Sequence, residues 1–124
     1  MMHVVNSEKV PISSNAPFSQ SVAAGDCVYI SGQIGLDENG KMAEGFEAQA
    51  EQVLKNMSYV LEANGIGFDK VVKATCFLTD ISNFEVFNAI YSKYFTGKPA
   101  RSCYSVKDLP LGALVEVEAI AYLK

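Results

Sequence analysis

Apolar residues recur along this chain with two different periods, and the switches between the periods divide it into elements. Residues 27–30, Cys-Val-Tyr-Ile, form a β-prone apolar run that continues into Ser31-Gly32-Gln33-Ile34-Gly35, and Asp37-Glu38-Asn39-Gly40 follows as a turn. Ala24-Gly25-Asp26 reads as a reversal from an earlier strand around residues 19–23, so the chain is predicted to begin with an antiparallel hairpin. From Phe46 the period becomes helical. Phe46, Ala50, Val53, Leu54, Met57, Val60 and Leu61 make one stripe, Glu47, Glu51, Lys55 and Glu62 fill the rest, and Gly65 is the stop. Residues 70–78 read as a buried strand. Residues 79–82, Thr-Asp-Ile-Ser, supply caps for a second helix that carries Phe84, Phe87, Ala89, Ile90, Tyr91, Tyr94 and Phe95 and stops at Gly97 and Pro99. Residues 100–106 and 114–123 complete the pattern as strands. The order ββ, α, β, α, ββ predicts an α+β fold, a β-sheet with two helices packed on one face. No repeat, linker or low-complexity tract interrupts it, so residues 1–124 are expected to form one domain.

Composition narrows the chemistry. The chain has 10 Lys and Arg against 14 Asp and Glu, a net charge of -4, no basic run and no Trp. A nucleic-acid partner is therefore not expected, since affinity for phosphate backbones comes from clustered positive charge. The longest uncharged stretch, residues 10–25, is broken by Pro11 and Pro17, and the first residues carry neither a basic nor an apolar signal segment. A cytoplasmic location with no membrane contact is the expectation. Cys27, Cys76 and Cys103 are odd in number and widely spaced, which suits reduced thiols better than disulfides. The sole histidine, His3, lies in a segment expected to fray, which argues against His-based triads and His-rich metal sites.

The last strand alternates informatively. Leu114, Glu116, Glu118, Ile120 and Tyr122 share one face, and Val115, Val117, Ala119, Ala121 and Leu123 share the other. The two carboxylates lie about 7 Å apart along the strand. They belong either to a solvated face or, given the apolar residues among them, to a partly covered one where each needs a partner or a water. Arg101, at the start of its strand, could fork two hydrogen bonds to a carboxylate. That carboxylate is either a ligand's or that of Glu116 or Glu118. A hairpin centred on Asp108-Leu109 would pair Arg101 with Glu116, unless the connection passes an intervening strand. Ser31-Gly32 is either a bulge that lets a ligand approach the backbone or a plain strand end. Asn88 reads as a surface helix residue, and Cys103 as an apolar spacer, since no histidine is available to activate its thiol.

Six pieces of the chain, in this order, resemble one family: residues 16–20 (Ala-Pro-Phe-Ser-Gln), 30–34 (Ile-Ser-Gly-Gln-Ile), 77–80 (Phe-Leu-Thr-Asp), Asn88 with Tyr91, 99–102 (Pro-Ala-Arg-Ser) and 112–121 (Gly-Ala-Leu-Val-Glu-Val-Glu-Ala-Ile-Ala). On these the sequence is identified as a member of the RidA (reactive intermediate deaminase A) family, also called YjgF. The resemblance implies a chorismate-mutase-like fold assembled as a homotrimer with clefts between subunits. It also implies hydrolysis of 2-imino and enamine acids, such as 2-iminobutanoate and 2-iminopropanoate released by pyridoxal-phosphate-dependent dehydratases, to 2-oxo acids and ammonia. By the same resemblance Arg101 holds the substrate carboxylate and Glu116 orients or activates water. Gly32, Cys103 and Asn88 line the cleft, with Ser31 a weaker lining residue, and neither metal nor organic cofactor is implied. Where the family commonly has a tyrosine, this chain has Phe18, which can pack against a ligand but offers no hydroxyl. The alternative is a module of the same fold that binds small carboxylates, such as 2-oxo acids, without turnover.

Overall fold

A computed structural model describes all of residues 1–124. Strand β1 (Met2–Val5) pairs antiparallel with β2 (Ser21–Ala24), placing His3 opposite Ala23. This corrects the expectation of a frayed start. The outer edge of β2 offers unpaired backbone groups, and the Ser21 hydroxyl adds a 2.6 Å hydrogen bond to the Val5 carbonyl. A tight turn at Gly25-Asp26 then leads into β3 (Cys27–Gln33), with Ala24 opposite Cys27. Gly25 has φ +60, the left-handed conformation such hairpin turns demand.

Helix α1 (Phe46–Ala63) buries Ala50, Val53, Leu54, Met57, Val60 and Leu61, the stripe read from the sequence. Strand β4 (Val71–Leu78) follows, and Asp80 then accepts hydrogen bonds from both the backbone N–H and the hydroxyl of Ser82 at the start of the next helical stretch. Helix α2 (Phe84–Tyr94) buries Phe87, Ile90 and Tyr91, while Phe84 and Ala89 stay exposed. Strands β5 (Ala100–Ser105) and β6 (Val115–Tyr122) complete one mixed sheet in the order β1-β2-β3-β6-β4-β5. The β4-α2-β5 crossover makes those two strands parallel, as such a connection requires. Strand β6 then returns between β3 and β4. The connection between β5 and β6 therefore does carry the chain past an intervening strand, and the Arg101–Glu116 hairpin does not form. Arg101 stands beside Ala74, and Glu116 beside Phe77.

Both helices lie on one face of the sheet. On that face Val115, Val117, Ala119 and Ala121 of β6 join Ala74, Cys76 and Leu78 of β4 and Val28 and Ile30 of β3 in a continuous core with the helices. The other face is uncovered, and Tyr29, Tyr104 and Tyr122 stand on it half-exposed. No helix is long and apolar enough to cross a membrane. Helix α1 packs tightly against Gly35, where an added Cβ would stand 2.9 Å from Cα of Gln49 and 3.0 Å from its Cβ. Backbone cannot yield as a side-chain tip can. Gly35→Ala should therefore lower the stability measured by urea unfolding by about 1–3 kcal/mol, the usual cost of overpacking.

Candidate active site

The sequence candidates fall into two groups. The first surrounds a cavity of about 760 Å³, whose lining includes Phe18, Ser31, Gly32, Ile34, Leu111 and Glu116. The strand β3 is bulged here. Ile30 pairs with Ala119 and Gln33 with Val117, so Ser31 and Gly32 together oppose Glu118. Of the two readings offered for this stretch, the bulge is the one that forms. The Ser31 N–H donates to the Gln20 carbonyl at 2.9 Å and its hydroxyl to the Ser19 carbonyl at 2.6 Å, which ties the segment bearing Phe18 to the bulge. Gly32 has a different reason to be there. A Cβ on it would meet the carboxylate of Glu116 directly, with Cδ only 2.7 Å away, so the absent side chain is the space the carboxylate occupies. Glu116 is half-buried. Burial, and secondarily the charge of Glu118, pushes its carboxyl above the usual carboxylate range.

The second group gathers where α2 meets β5. The Arg101 guanidinium lies 4.7 Å above the Tyr91 ring, 5.6 Å from that of Phe84 and 6.0 Å from that of Phe87, all centroid distances. Aromatic faces on several sides hold a planar cation in place without neutralising it. None of the three ion pairs in the chain includes Arg101 or Glu116. Asn88, between Phe87 and Tyr91 on the same helix, has a buried Oδ1 with no hydrogen-bond partner, and so does the hydroxyl of Tyr91. This departs from the surface role read for Asn88. Cys103 shares the sheet face of Arg101, and burial pushes its thiol above the ordinary thiol range, as suits a spacer rather than a nucleophile. No group of three or more His, Cys, Asp and Glu side chains comes together to hold a metal ion.

Parity along the strands decides how the two groups relate. Arg101 is level with Ala74 and Ala119, whose neighbours in the same alternation face the helices, whereas Glu116 is level with Phe77 and faces away from them. Within one chain the free cation and the free carboxylate thus point to opposite sides of the sheet.

The family model described as "Endoribonuclease L-PSP" matches residues 8–123. The chain belongs to that family, the RidA/YjgF family. It is 47% identical over 123 residues to the chloroplastic Reactive Intermediate Deaminase A of Arabidopsis thaliana, an alignment covering 97% of this chain and 65% of that protein. It is 44% identical over 121 residues to the human 2-iminobutanoate/2-iminopropanoate deaminase, covering 95% of this chain and 88% of the relative. The crystal structure of the YjgF gene product from E. coli superposes with a TM-score of 0.91 at 34% identity, covering 98% of this chain and 99% of that one.

Sequence reasoning missed the polar side chains that fix the cavity of this RidA-family chain. Gln20, almost wholly buried, accepts from the Ser7 N–H at 2.7 Å and donates to the Ser7 and Val10 carbonyls, closing the segment that forms one wall. Asn56 donates from Nδ2 to the carbonyls of Ile34 and Leu36, holding the opposite wall against α1. Gln49 accepts from the Leu114 N–H at 2.8 Å, just before Glu116. A polar residue beside an apolar helical stripe was the available signal for Asn56. Tyr91, quoted only as part of a motif, carries the other unmet polar atom. An orphaned buried hydroxyl costs about 1–3 kcal/mol, so Tyr91→Phe should leave thermal stability equal to or above that of the parent. A clear drop in Tm would mean that the hydroxyl has a partner in solution.

Proposed function

We propose that this protein hydrolyses 2-imino acids and their enamine tautomers to 2-oxo acids and ammonia, acting as a cytoplasmic homotrimer whose sites lie between subunits. The observation that carries the reading is the separation of Arg101 and Glu116 on opposite faces of the sheet, both without an ion-pair partner. One chain presents the cation, a second presents the carboxylate, and a small carboxylate ligand between them satisfies both. The uncovered sheet face supports the same assembly, because half-exposed Tyr29, Tyr104 and Tyr122 are aromatic side chains of the kind that partners normally bury. Residues 1–124 act as one domain in each subunit.

In this reading Arg101, steadied by its aromatic surroundings, forks two hydrogen bonds to the substrate carboxylate. The carboxylate of Glu116 accepts a hydrogen bond from a water and orients its oxygen toward C2. The water's lone pair forms the C2–O bond as the C=N π pair moves to nitrogen. One water proton passes to Glu116 and from there to nitrogen. The hydroxyl proton of the resulting carbinolamine then passes by way of Glu116 to nitrogen as the C–N bond breaks, so that C=O forms and nitrogen leaves as ammonia. An imine carbon is already electrophilic, so positioning supplies most of what the step needs, and the residue set calls for neither metal nor organic cofactor. Phe18, Ser31 and Gly32 line the carboxylate half, and Asn88 and Cys103 the cation half. The relatives named as deaminases support this chemistry. Cleavage of RNA, which the family description names, fits less well. The net charge is -4, and the sole histidine sits on edge strand β1.

With a threonine dehydratase as imine source and semicarbazide as trap, the protein should lower adduct formation. Arg101→Ala should reduce kcat/KM ten- to about a hundredfold, the value of a charge-assisted hydrogen-bonded pair. No effect of the parent protein on adduct formation would sink the reading. Reassembly of Arg101→Ala with Glu116→Ala chains should restore about a quarter of parental activity, the share of random subunit contacts that unite one intact half from each. No restoration would place both residues in a single chain's site.

The raised Glu116 carboxyl predicts a pH dependence with a defined sign. Its carboxylate form, the one that accepts the proton, is lost as pH falls through the raised folded-state pKa, so kcat/KM should drop on an acidic limb lying above the ordinary value of about 4.3. Between the ordinary and the raised value the folded state keeps a proton that the unfolded state releases, so stability falls as pH rises through that window. Glu116→Gln should abolish the limb and most activity while raising Tm at neutral pH, measured by calorimetry.

A further inference from the structure

The short connection before β6 holds a residue that the fold itself does not explain. Leu111 has φ +57 and ψ +26, a left-handed conformation that glycine or asparagine adopts far more easily than leucine. It is fixed there from both sides. Pro110 precedes it, Gly112 follows at φ +70, the Ala113 N–H closes the turn on the Pro110 carbonyl at 3.1 Å, and Gln49 pins the next residue from the buried side. The side chain gains nothing from the core in return, for Leu111 is 75% exposed. It instead lines the cavity that contains Glu116, together with Phe18, which is 59% exposed. Two large apolar side chains thus stand uncovered at a cavity whose remaining wall includes Ile12, Pro17 and Ile34.

We propose that Leu111, with Phe18, forms an apolar lip that receives the side chain of the imino acid and gives the enzyme a preference for branched or longer aliphatic substrates over the methyl-bearing one. The inference rests on the deaminase reading for its ligand class. Its logic is local. The carboxylate end of the ligand is oriented by Arg101 and the reacting carbon by Glu116, so the substituent on that carbon must leave in a third direction. The cavity beside Glu116 offers it the apolar side chains of Leu111, Phe18, Ile12 and Ile34. Strain at an exposed leucine is then retained because the side chain makes its contact only when a ligand is bound.

The test uses the whole protein and stable product acids, so that it reads binding without turnover. Calorimetry with 2-oxopropanoate and with 4-methyl-2-oxopentanoate gives the ratio of the two affinities for the parent, for Leu111→Gly and for Leu111→Asn, both of which suit the left-handed backbone. The parent should favour the branched acid, and each variant should cut that preference about tenfold, the usual value of a lost aliphatic contact in a pocket. The same ratio, taken as kcat/KM with 2-imino acids of matching side chains, should move in parallel. A variant that weakens both acids equally overturns the proposal, since Leu111 would then only shape the loop. An unchanged ratio with an altered mass in solution overturns it too, because the side chain would serve a subunit contact. Failure of the parent to bind either acid would also overturn it. If the parent turns over imines but the ratio does not respond, the lip fails and the deaminase reading stands. If the ratio responds but no imine is hydrolysed, the lip stands on a binding site and the deaminase reading fails.

Discussion

The two-residue alternation of a β-strand is the constraint from which the working arrangement follows. Once β4 and β6 commit Ala74, Cys76, Val117 and Ala119 to the helix-covered core, every other side chain on the sheet is assigned a face. Glu116 is sent to the uncovered side, and Arg101, level with Ala74, to the side of α2. A shift of one residue in β6 would bring Glu116 to the face of Arg101 and would also expel Val115, Val117, Ala119 and Ala121 from the core. Packing therefore enforces the separation of the two charged side chains.

The two charged side chains are held in different physical ways. Arg101 is held by flat apolar surfaces, which limit its rotamers while leaving all its donors free. Glu116 is held by fit against Gly32 and is kept short of solvent, which makes its charged form dearer and its proton affinity higher. The walls around Glu116 depend on three amide side chains, Gln20, Gln49 and Asn56, each bonded to backbone from another segment. These bonds satisfy buried groups and at the same time fix the loops to rigid elements, which is the support a positioning mechanism requires.

Much of this was legible in the sequence because the signals were local. The hairpin at Gly25-Asp26, the stripe of α1 and the alternation of β6 each follow from spacing or from glycine within a few residues, whereas Gly32 left both a bulge and a plain strand end open until the register was known. The place of β4, parallel to β5 on one side and antiparallel to β6 on the other, was not legible, because the residues that pair there are far apart in sequence and any of several registers would satisfy their apolar patterns. Strand β1 was missed for a related reason: Met2–Val5 has little burial of its own and is ordered by the edge it joins. Charge, alternation and glycine singled out Arg101, Glu116 and Ser31-Gly32 in the sequence, while their roles, and Phe18, came from the resemblance to the RidA family. Their placement on opposite faces of the sheet needed the topology, and the unmet atoms of Asn88 and Tyr91 needed side-chain geometry.

The contact between Gly32 and Glu116 has a consequence for how such a chain can change over generations. Glycine is required at position 32 only while a side chain as long as glutamate occupies position 116, since the two share one volume. Loss of the carboxylate first opens space and permits later drift at 32. A side chain gained at 32 first displaces the carboxylate and silences the site in a single step. The order of substitutions is thus asymmetric. A lineage that has left catalysis by the gradual route would carry a record of it in the two positions together, with the smaller residue having moved from 32 to 116.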